Sequence, residues 1–530
     1  MGQTIGIDFG TTNTVVSYLG KKGKPISLML EGSNKSIPTA VFYKSADDYV
    51  IGQSAVNMGA LYPKALAVSF KTDIAFQEKR EIICQNGDKK KILPQRIAED
   101  FLRRLMKTIE PKLIKVFGAA DGCIDNAVIT VPAKFSSMQK DAIRRSAIRA
   151  GFINVKLACE PTAAAAADHV QNETGNQLVV VYDFGGGTFD ISAVEARTNG
   201  SYTEYREIRT NGEKNLGGNY LTRLLADHIL EKLSEQFDME DFYFDDNDSG
   251  KYPFLNSSDF SGNVPYSNYI YTMKNIVDLA EDCKINYNDY DEYENELPLF
   301  LDNTDQPSEV YTVKLKKHEI EKCLGGAVRN TMLITGRLLN DVVELTGRKP
   351  DSIVLAGGSS NLAMIGSQLE QFNIPVRTGD VNTLISKGAI VLNTLDGQRS
   401  IQKTNCEYGI IENRGAVKGV FHMLIPSDQT LPVTSEPYST HLGNCSERIQ
   451  IMLYERDVQN FADACKLGDR GLEMVDCFAL ELPRQLDPTA EVIYQLTLND
   501  TGVFDINVSV TENDKPIVDG SFEVSHNNLG

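Results

Sequence analysis

Two nine-residue strings hold the side chains best suited to chemistry. Ile5-Gly6-Ile7-Asp8-Phe9-Gly10-Thr11-Thr12-Asn13 and Val180-Val181-Tyr182-Asp183-Phe184-Gly185-Gly186-Gly187-Thr188 share one plan. Each is an apolar run ending in Asp-Phe-Gly, then a turn of glycines and hydroxyl residues, then a second alternating run over residues 14–19 or 189–194. A turn of small residues lets successive backbone N–H groups converge on one anion, and Thr hydroxyls add donors, so each turn can cradle a phosphate. An Asp just before each turn suits Mg²⁺, which keeps several waters and uses few carboxylates together with substrate phosphates. Either turn alone reads more readily as a tight β-hairpin with no ligand. The repetition favours two lobes that clamp a triphosphate–metal complex between facing hairpins. No G-x-x-x-x-G-K-[ST] string follows a strand, so neither turn is a Walker motif. A third glycine turn, Ile353-Val354-Leu355-Ala356-Gly357-Gly358-Ser359-Ser360, joins a strand to a helix expected over 362–372. It fits a nucleotide crevice or an ordinary strand-to-helix turn.

The elements that would position these turns follow from periodicity. Residues 1 to about 396 alternate strand-like runs with long amphipathic stretches, the pattern of an α/β fold with helices covering a sheet. Ser136 and Gln139 form a capping box for a helix that ends at Gly151. A second helix is expected over 97–109. From about Cys406 the pattern changes to short alternating segments over 417–425, 448–454, 492–498 and 502–510, which predicts an all-β domain. The domain reading is therefore 1–395 for the α/β part, 396–405 for a polar linker, 406–515 for the β part and 516–530 for a tail, with no room for a helical domain after the strands.

Composition narrows the function classes. The 530 residues include 53 Lys and Arg against 72 Asp and Glu, a net charge of −19. That balance argues against general nucleic-acid binding or docking on an anionic bilayer. The chain enters its first strand at once, without a charged and then apolar leader, and no apolar run approaches the length of a membrane helix. A cytoplasmic protein is expected. Nine cysteines are spread singly, with no C-x-x-C pair and no His at zinc spacing. Residues 235–248 form an acidic, aromatic-bearing insertion. Its Asp245-Asp246-Asn247-Asp248-Ser249-Gly250 superficially resembles the start of a calcium loop, but Asn256 stands where Glu is needed and Pro253 intrudes.

The two strings, with Val128-Ile129-Thr130-Val131-Pro132-Ala133, Glu160-Pro161-Thr162-Ala163-Ala164-Ala165, Asn215-Leu216-Gly217-Gly218 and Leu355-Ala356-Gly357-Gly358-Ser359, resemble the ATPase domain of the seventy-kilodalton heat-shock chaperone family. The resemblance covers most of the chain. It implies an actin-like (ribonuclease H-like) two-lobed α/β ATPase domain followed by an all-β sandwich, here without the family's helical lid. The later residues are similar to the family's peptide-binding domain in Met423-Leu424-Ile425-Pro426, Leu431-Pro432 and 449–455. By resemblance, Asp8, Asp183 and Asp190 hold the hydrated Mg²⁺ and the attacking water. Gly10, Thr11, Thr12, Asn13, Gly185, Gly186, Gly187 and Thr188 contact phosphates. Lys71 matches the lysine beside the γ-phosphate, where fixed positive charge stabilises phosphoryl transfer. Glu160 matches the carboxylate that orients water and metal; by sequence alone it is a first-turn Glu favoured by the helix dipole. Thr188 and Asp190 join the catalytic set. Gly217, Gly218, Glu281, Lys284, Gly357, Gly358 and Ser359 belong to the nucleotide pocket, and Pro132 and Lys140 to a relay between domains. Ile410 and Tyr438 would contact peptide. Implied cofactors are ATP or ADP with Mg²⁺. Implied partners are extended segments of client proteins, a J-domain co-chaperone and a nucleotide exchange factor.

The resemblance breaks at identifiable positions. The family's two adenine-stacking arginines align with Ile285 and Asn361, and an acid near the same pocket aligns with Asn382, which predicts weakened adenosine binding. The linker lacks the family's hydrophobic docking segment. The arch over the peptide groove would be Asn413 and His441 rather than apolar residues, with His441 read as a surface-loop histidine. An ATP-dependent chaperone-like protein is therefore expected; the other readings are a weakly hydrolysing, nucleotide-regulated binding protein or a small-molecule kinase of the same fold.

Overall fold

The computed structural model describes residues 3–59, 61–118, 124–172, 175–200, 202–245, 260–304, 306–394, 398–401, 403–404, 406–414, 417–427, 429–442, 446–456, 465–469, 471–499, 504–513 and 515–523. The calcium-like string beyond Asp245 and residues 396–397, 402 and 405 of the expected linker lie outside them. Compact packing divides the chain into two units, Met1–Ala133 with Ile143–Arg399, and Lys134–Ala142 with Ser400–Gly530.

In the first unit, the internal echo of the sequence becomes a repeated topology. One sheet runs in the order Asn154–Cys159, Ile124–Val131, Gln3–Phe9, Asn13–Leu19 and Pro25–Ser27, with Ser36–Pro38 also paired to Asn13–Leu19. The other runs Val376–Arg377, Ser352–Ala356, Gln177–Phe184, Thr188–Asn199, Tyr202–Lys214 and Gln398–Ile401. In both sheets the strand that ends in Asp-Phe-Gly pairs antiparallel with its hairpin partner and parallel with a strand from much later in the chain. The parallel strands Gln177–Phe184 and Ser352–Ala356 are buried almost throughout, as expected where both faces are covered.

Helices Glu160–Asn172 and Leu384–Thr394 bury small side chains against these sheets. Ala163 to Ala167, Val179, Val181, Val354, Ala356, Leu384 and Ala389 share one core cluster. The approach is close enough that a Cβ on Gly388 would meet the Ala163 carbonyl oxygen at 1.7 Å, so only glycine fits there. Each hairpin is anchored by the Phe of its string. Phe9 stacks on Phe101 at 5.7 Å, and Phe184 meets Phe189 edge-on at 5.7 Å; all four rings are fully buried. Strand alternation then puts Asp8 and Asp183 on the opposite face from these rings. Truncating either anchor to Ala would cost about 3–5 kcal/mol by cavity formation.

The Ser136–Gln139 capping box forms as predicted: each backbone N–H donates to the other's side chain, at 3.1 and 3.2 Å, ahead of helix Ser137–Ala150. The helix expected over 97–109 is longer, Pro94–Phe117, because Pro94 supplies an N-terminal start and Leu113 extends the buried stripe. The third glycine turn leads into a short helix, Ala363–Leu369, completed by a 3₁₀ turn, Glu370–Phe372.

The second unit is a β-sandwich. A four-stranded sheet runs Val417–Ile425, Glu407–Arg414, Ser446–Arg456 and Leu472–Leu486. The other sheet runs Val433–Thr434, Glu491–Leu498, Phe504–Glu512 and Lys515–Glu523, with Tyr438–His441 also on Glu491–Leu498. Inward residues of both, such as Ile425, Leu453, Leu496 and Ile506, make one core. The expected tail from 516 instead begins as the strand Lys515–Glu523, because Ile517 and Val518 pack partly on that core. His441 closes a strand and does not sit in a loop. Gln398–Ile401 is likewise a strand within the segment read as polar linker. No described helix is long and apolar enough to cross a membrane.

Candidate active site

The two hairpin turns face each other. A Cβ built on Gly186 would lie 1.9 Å from Thr12 Oγ1, and one on Gly187 would lie 3.1 Å from the Thr11 methyl. Each turn is closed by one backbone bond, Gly10 N–H to Asn13 O and Gly185 N–H to Thr188 O, both 3.1 Å. The second turn is fastened from two further directions. Gly218 and Asn219, at the start of helix Gly218–Ser234, donate their N–H groups to Gly185 O and Gly186 O at 2.9 and 2.8 Å. Ser359 Oγ donates to Gly185 O at 3.2 Å. Gly357 adopts φ +78°, and a Cβ there would meet Asp183 Oδ1 at 2.4 Å, so the third turn must carry glycine to pass the aspartate. Gly217 allows no Cβ either, since one would lie 2.5 Å from the Gly187 carbonyl carbon.

Five charged groups converge beside these turns: Asp8, Asp183, Asp190, Glu160 and Lys71. Lys71 Nζ donates to Glu160 Oε1 at 2.8 Å, and both residues are buried. Burial and the Glu160 charge push the Asp8 carboxyl up to about 7, against the pull of Lys71 and a bond from Thr130. Burial first, then Glu160, Asp190 and Asp8, hold Asp183 well above the usual carboxylate range. Thr188 Oγ1 donates to Asp190 Oδ2 at 2.8 Å, which keeps that carboxylate turned toward the second hairpin. Four carboxylates around one ammonium make an electrostatically incomplete site.

These residues fit a metal-bound phosphate. Thr12 Oγ1 is buried with no hydrogen-bond partner among the described residues, so a donor there has an acceptor to find. The glycine-lined space between the turns is just what any side chain would fill. The carboxylate excess asks for a cation, and Asp8 and Asp183 are the groups that would hold a hydrated Mg²⁺. Among the described residues, no three acidic, His or Cys side chains form a ready direct cage, and a hydrated ion needs fewer direct ligands. A bound Mg²⁺ would neutralise phosphate charge. Lys71 offers fixed positive charge at the same spot, and Glu160, tied to Lys71, can orient a nucleophilic water.

A second cluster lies behind the fastened turn. Lys284 Nζ donates to Gly218 O at 2.9 Å, Thr222 Oγ1 at 2.8 Å and Glu281 Oε2 at 2.8 Å, and Thr222 Oγ1 also donates to Glu281. Thr222 Oγ1 also reaches Gly218 O at 2.9 Å, and a Cβ on Gly218 would lie 2.6 Å from Ser359 Oγ. Gly358 faces Asn382, whose Oδ1 lies 3.3 Å from where a Cβ would stand. Ile285 is 66% exposed at the end of helix Tyr266–Ile285. Asn361 is exposed, and its carbonyl accepts from Asn288 Nδ2 at 2.7 Å. Neither position offers a cation.

Sequence reasoning missed three supports. Thr130 Oγ1 reaches Asp8 Oδ1 at 3.3 Å, Thr222 fixes Lys284, and Asn288 ties Asn361 to the following helix through the Ala363 N–H. Thr130 lay inside a string already singled out, but its partner comes from a strand 122 residues earlier. The remaining predicted residues belong to other elements. Pro132 directly follows strand Ile124–Val131, and Lys140 lies in the first turn of Ser137–Ala150. In the sandwich, Ile410 is core, 3% exposed, and Tyr438 is half-buried.

Comparison with known proteins agrees with this geometry. A family model described as Hsp70 protein matches residues 4–246, which include both hairpins, Lys71 and Glu160. A "Chaperone protein DnaK" of Buchnera aphidicola subsp. Schizaphis graminum is 26% identical over 503 residues, 90% of this chain and 73% of that protein. A "Chaperone protein DnaK" of Carsonella ruddii is 26% identical over 401 residues, 72% of this chain and 61% of that protein. The α/β domain that carries the two hairpins, followed by a β-rich C-terminal region, is thus similar to Hsp70 proteins over most of the chain.

Proposed function

We propose that this protein is a chaperone-like ATPase: it binds Mg-ATP between the two hairpins, hydrolyses it slowly, and uses the nucleotide state to change the grip of its β-sandwich on extended peptide segments. The observation that carries the reading is the buried set of Asp8, Asp183, Asp190 and Glu160 around Lys71, beside two facing glycine turns. Asp8 and Asp183 would hold the metal's water shell. Glu160 and Asp190 would align the attacking water, and Lys71 would stabilise charge developing on the γ-phosphate. Pro132 and Lys140 are assigned to the route by which nucleotide state reaches the second unit. A J-domain protein and an exchange factor would act on this cycle, as the DnaK likeness suggests.

A second reading, a nucleotide-regulated binding protein with little turnover, is favoured by exposed Ile285 and Asn361 at the adenosine end. Base stacking by guanidinium would contribute about 0.5–2 kcal/mol per contact, so their absence predicts nucleotide affinity lowered by roughly five- to a thousandfold for two contacts. Calorimetry of Mg-ATP and Mg-ADP, with the release rate of a fluorescent apolar peptide measured in each state, tests the proposal. ATP-accelerated peptide release supports it. Peptide release indifferent to nucleotide, despite saturation of the site, would refute the coupling.

A further inference from the structure

Three polar side chains meet between the sheets of the β-sandwich. Glu412 and His422 share one face of the four-stranded sheet, because His422 stands directly opposite Ile410 and Glu412 is two residues further on. Tyr438 comes from the other sheet, opposite Tyr494. The Tyr438 hydroxyl donates to Glu412 Oε2 at 2.8 Å, and His422 Nδ1 lies 3.7 Å from Glu412 Oε1. The His422 and Tyr438 rings stack with centroids 3.7 Å apart and planes 26° from parallel. The Glu412 side chain is 11% exposed and that of His422 is 23% exposed. Tyr494 adds a buried phenol, its hydroxyl pushed up to about 12 by burial and then by Glu412 and Tyr438. Titratable groups that face His422 thus include Glu412 from the neighbouring strand and the two tyrosines from the opposite sheet.

Both contacts of the imidazole, with the Glu412 carboxylate and with the Tyr438 ring, gain when it is charged. The carboxylate at 3.7 Å becomes an ion-pair partner in a poorly solvated place, and the phenol ring becomes a cation–π platform. The neutral tyrosines oppose neither change. An unperturbed imidazole changes charge between pH 5 and 8, within reach of ordinary cellular conditions.

We propose that Glu412, Tyr438 and His422 form a proton-operated latch that draws strand Tyr438–His441 against the four-stranded sheet, closed when His422 is charged and loosened when it is neutral. The latch borders Ile410 and carries Tyr438, so under the peptide-binding reading it sets how tightly an extended segment is admitted. That consequence rests on the proposed function; the latch itself does not.

The test is proton titration in the full chain. The protein has six histidines, so ¹³Cε1-histidine labelling resolves few signals, and the His422 resonance is assigned by its loss in His422→Gln. Glu412→Gln, which removes the carboxylate 3.7 Å from Nδ1, is expected to lower the His422 midpoint. Amide exchange over residues 438–441, corrected for intrinsic rates, is expected to be roughly tenfold slower at pH 5.5 than at pH 7.5 in the parent chain. That difference should vanish in His422→Gln and persist in Tyr438→Phe, which retains the ring stack. A midpoint unmoved by Glu412→Gln, or an exchange difference that survives in His422→Gln, overturns the latch. An intact latch together with an apolar heptapeptide that fails to bind at either pH would leave the latch standing and remove the peptide-binding reading instead.

Discussion

Substituting alanine for Gly186 should separate the two hairpins, and substituting its neighbour should not. A Cβ at Gly186 would stand 1.9 Å from Thr12 Oγ1 and 2.6 Å from Thr12 Cβ, where real contacts need more than 3.4 Å, so the turns must part by about 1–1.5 Å. At Gly185 the nearest atoms to a Cβ are Thr188 O at 3.7 Å and Asp183 Oδ1 at 4.0 Å, ordinary contacts. Overpacking of this kind costs about 1–3 kcal/mol, and because a clamped ligand feels the separation of its two cradles, Mg-ATP affinity should fall roughly 5- to 150-fold in Gly186→Ala. Gly185→Ala should change it by less than about threefold. Thr12→Gly removes the obstructing atoms, so the double variant Gly186→Ala/Thr12→Gly should bind no worse than Thr12→Gly alone, a cycle that isolates the contact. Calorimetric titration with Mg-ATP reads the four variants beside the parent chain. Equal losses at Gly185 and Gly186, or a Gly186→Ala protein with parental affinity, would refute the facing-hairpin geometry.

Further predictions follow from the same site. Asp8 in the folded chain titrates at about 7, above its ordinary 3.8, so its contribution favours the unliganded fold most below about pH 3.8 and is lost as pH rises through 7. Melting with chelator present should therefore show stability declining from pH 5 to pH 8, Asp8→Asn should flatten the decline, and added Mg²⁺ should oppose it. Lys71→Met leaves Glu160 buried without its 2.8 Å partner and should destabilise the unliganded chain by about 3–5 kcal/mol in denaturant titration; Lys71→Met/Glu160→Gln should recover most of that stability without recovering hydrolysis. Lys284→Ala removes three bonds that fix Gly218, Thr222 and Glu281, and should weaken nucleotide binding by about 10- to 100-fold while leaving single-turnover hydrolysis of saturating nucleotide within a few fold.

What could be read in the residues and what could not divide along the range of the interactions. The Asp-Phe-Gly strings announced both hairpins because glycine tolerance, strand alternation and an aromatic anchor are local properties, and the capping box at Ser136 was legible for the same reason. The convergence of the two strings was inferred from repetition alone; the contact that makes it physical, Thr12 against Gly186, joins residues 174 positions apart. Lys71 had no local mark. Its burial against Glu160 depends on a fold that closes over both, and only family resemblance singled it out. The strand Gln398–Ile401 was missed because it gains its order from pairing with the distant Tyr202–Lys214, and Lys515–Glu523 because its order comes from a hairpin with Phe504–Glu512, not from a strong alternation of its own. The cluster of Glu412, His422 and Tyr438 was half-seen, since Tyr438 was named for a groove while its carboxylate and imidazole partners, on two other strands, carried no motif.

The central claim, that the buried carboxylates around Lys71 hydrolyse ATP, is tested most directly by single-turnover phosphate release from the full chain with Mg-ATP, beside Lys71→Ala at matched nucleotide occupancy. Release by the parent chain should fall by two or more orders of magnitude in the variant while ATP remains bound, as expected for a charge acting on the transition state. Release at the same rate in both proteins, or none from a parent chain saturated with Mg-ATP, would contradict it.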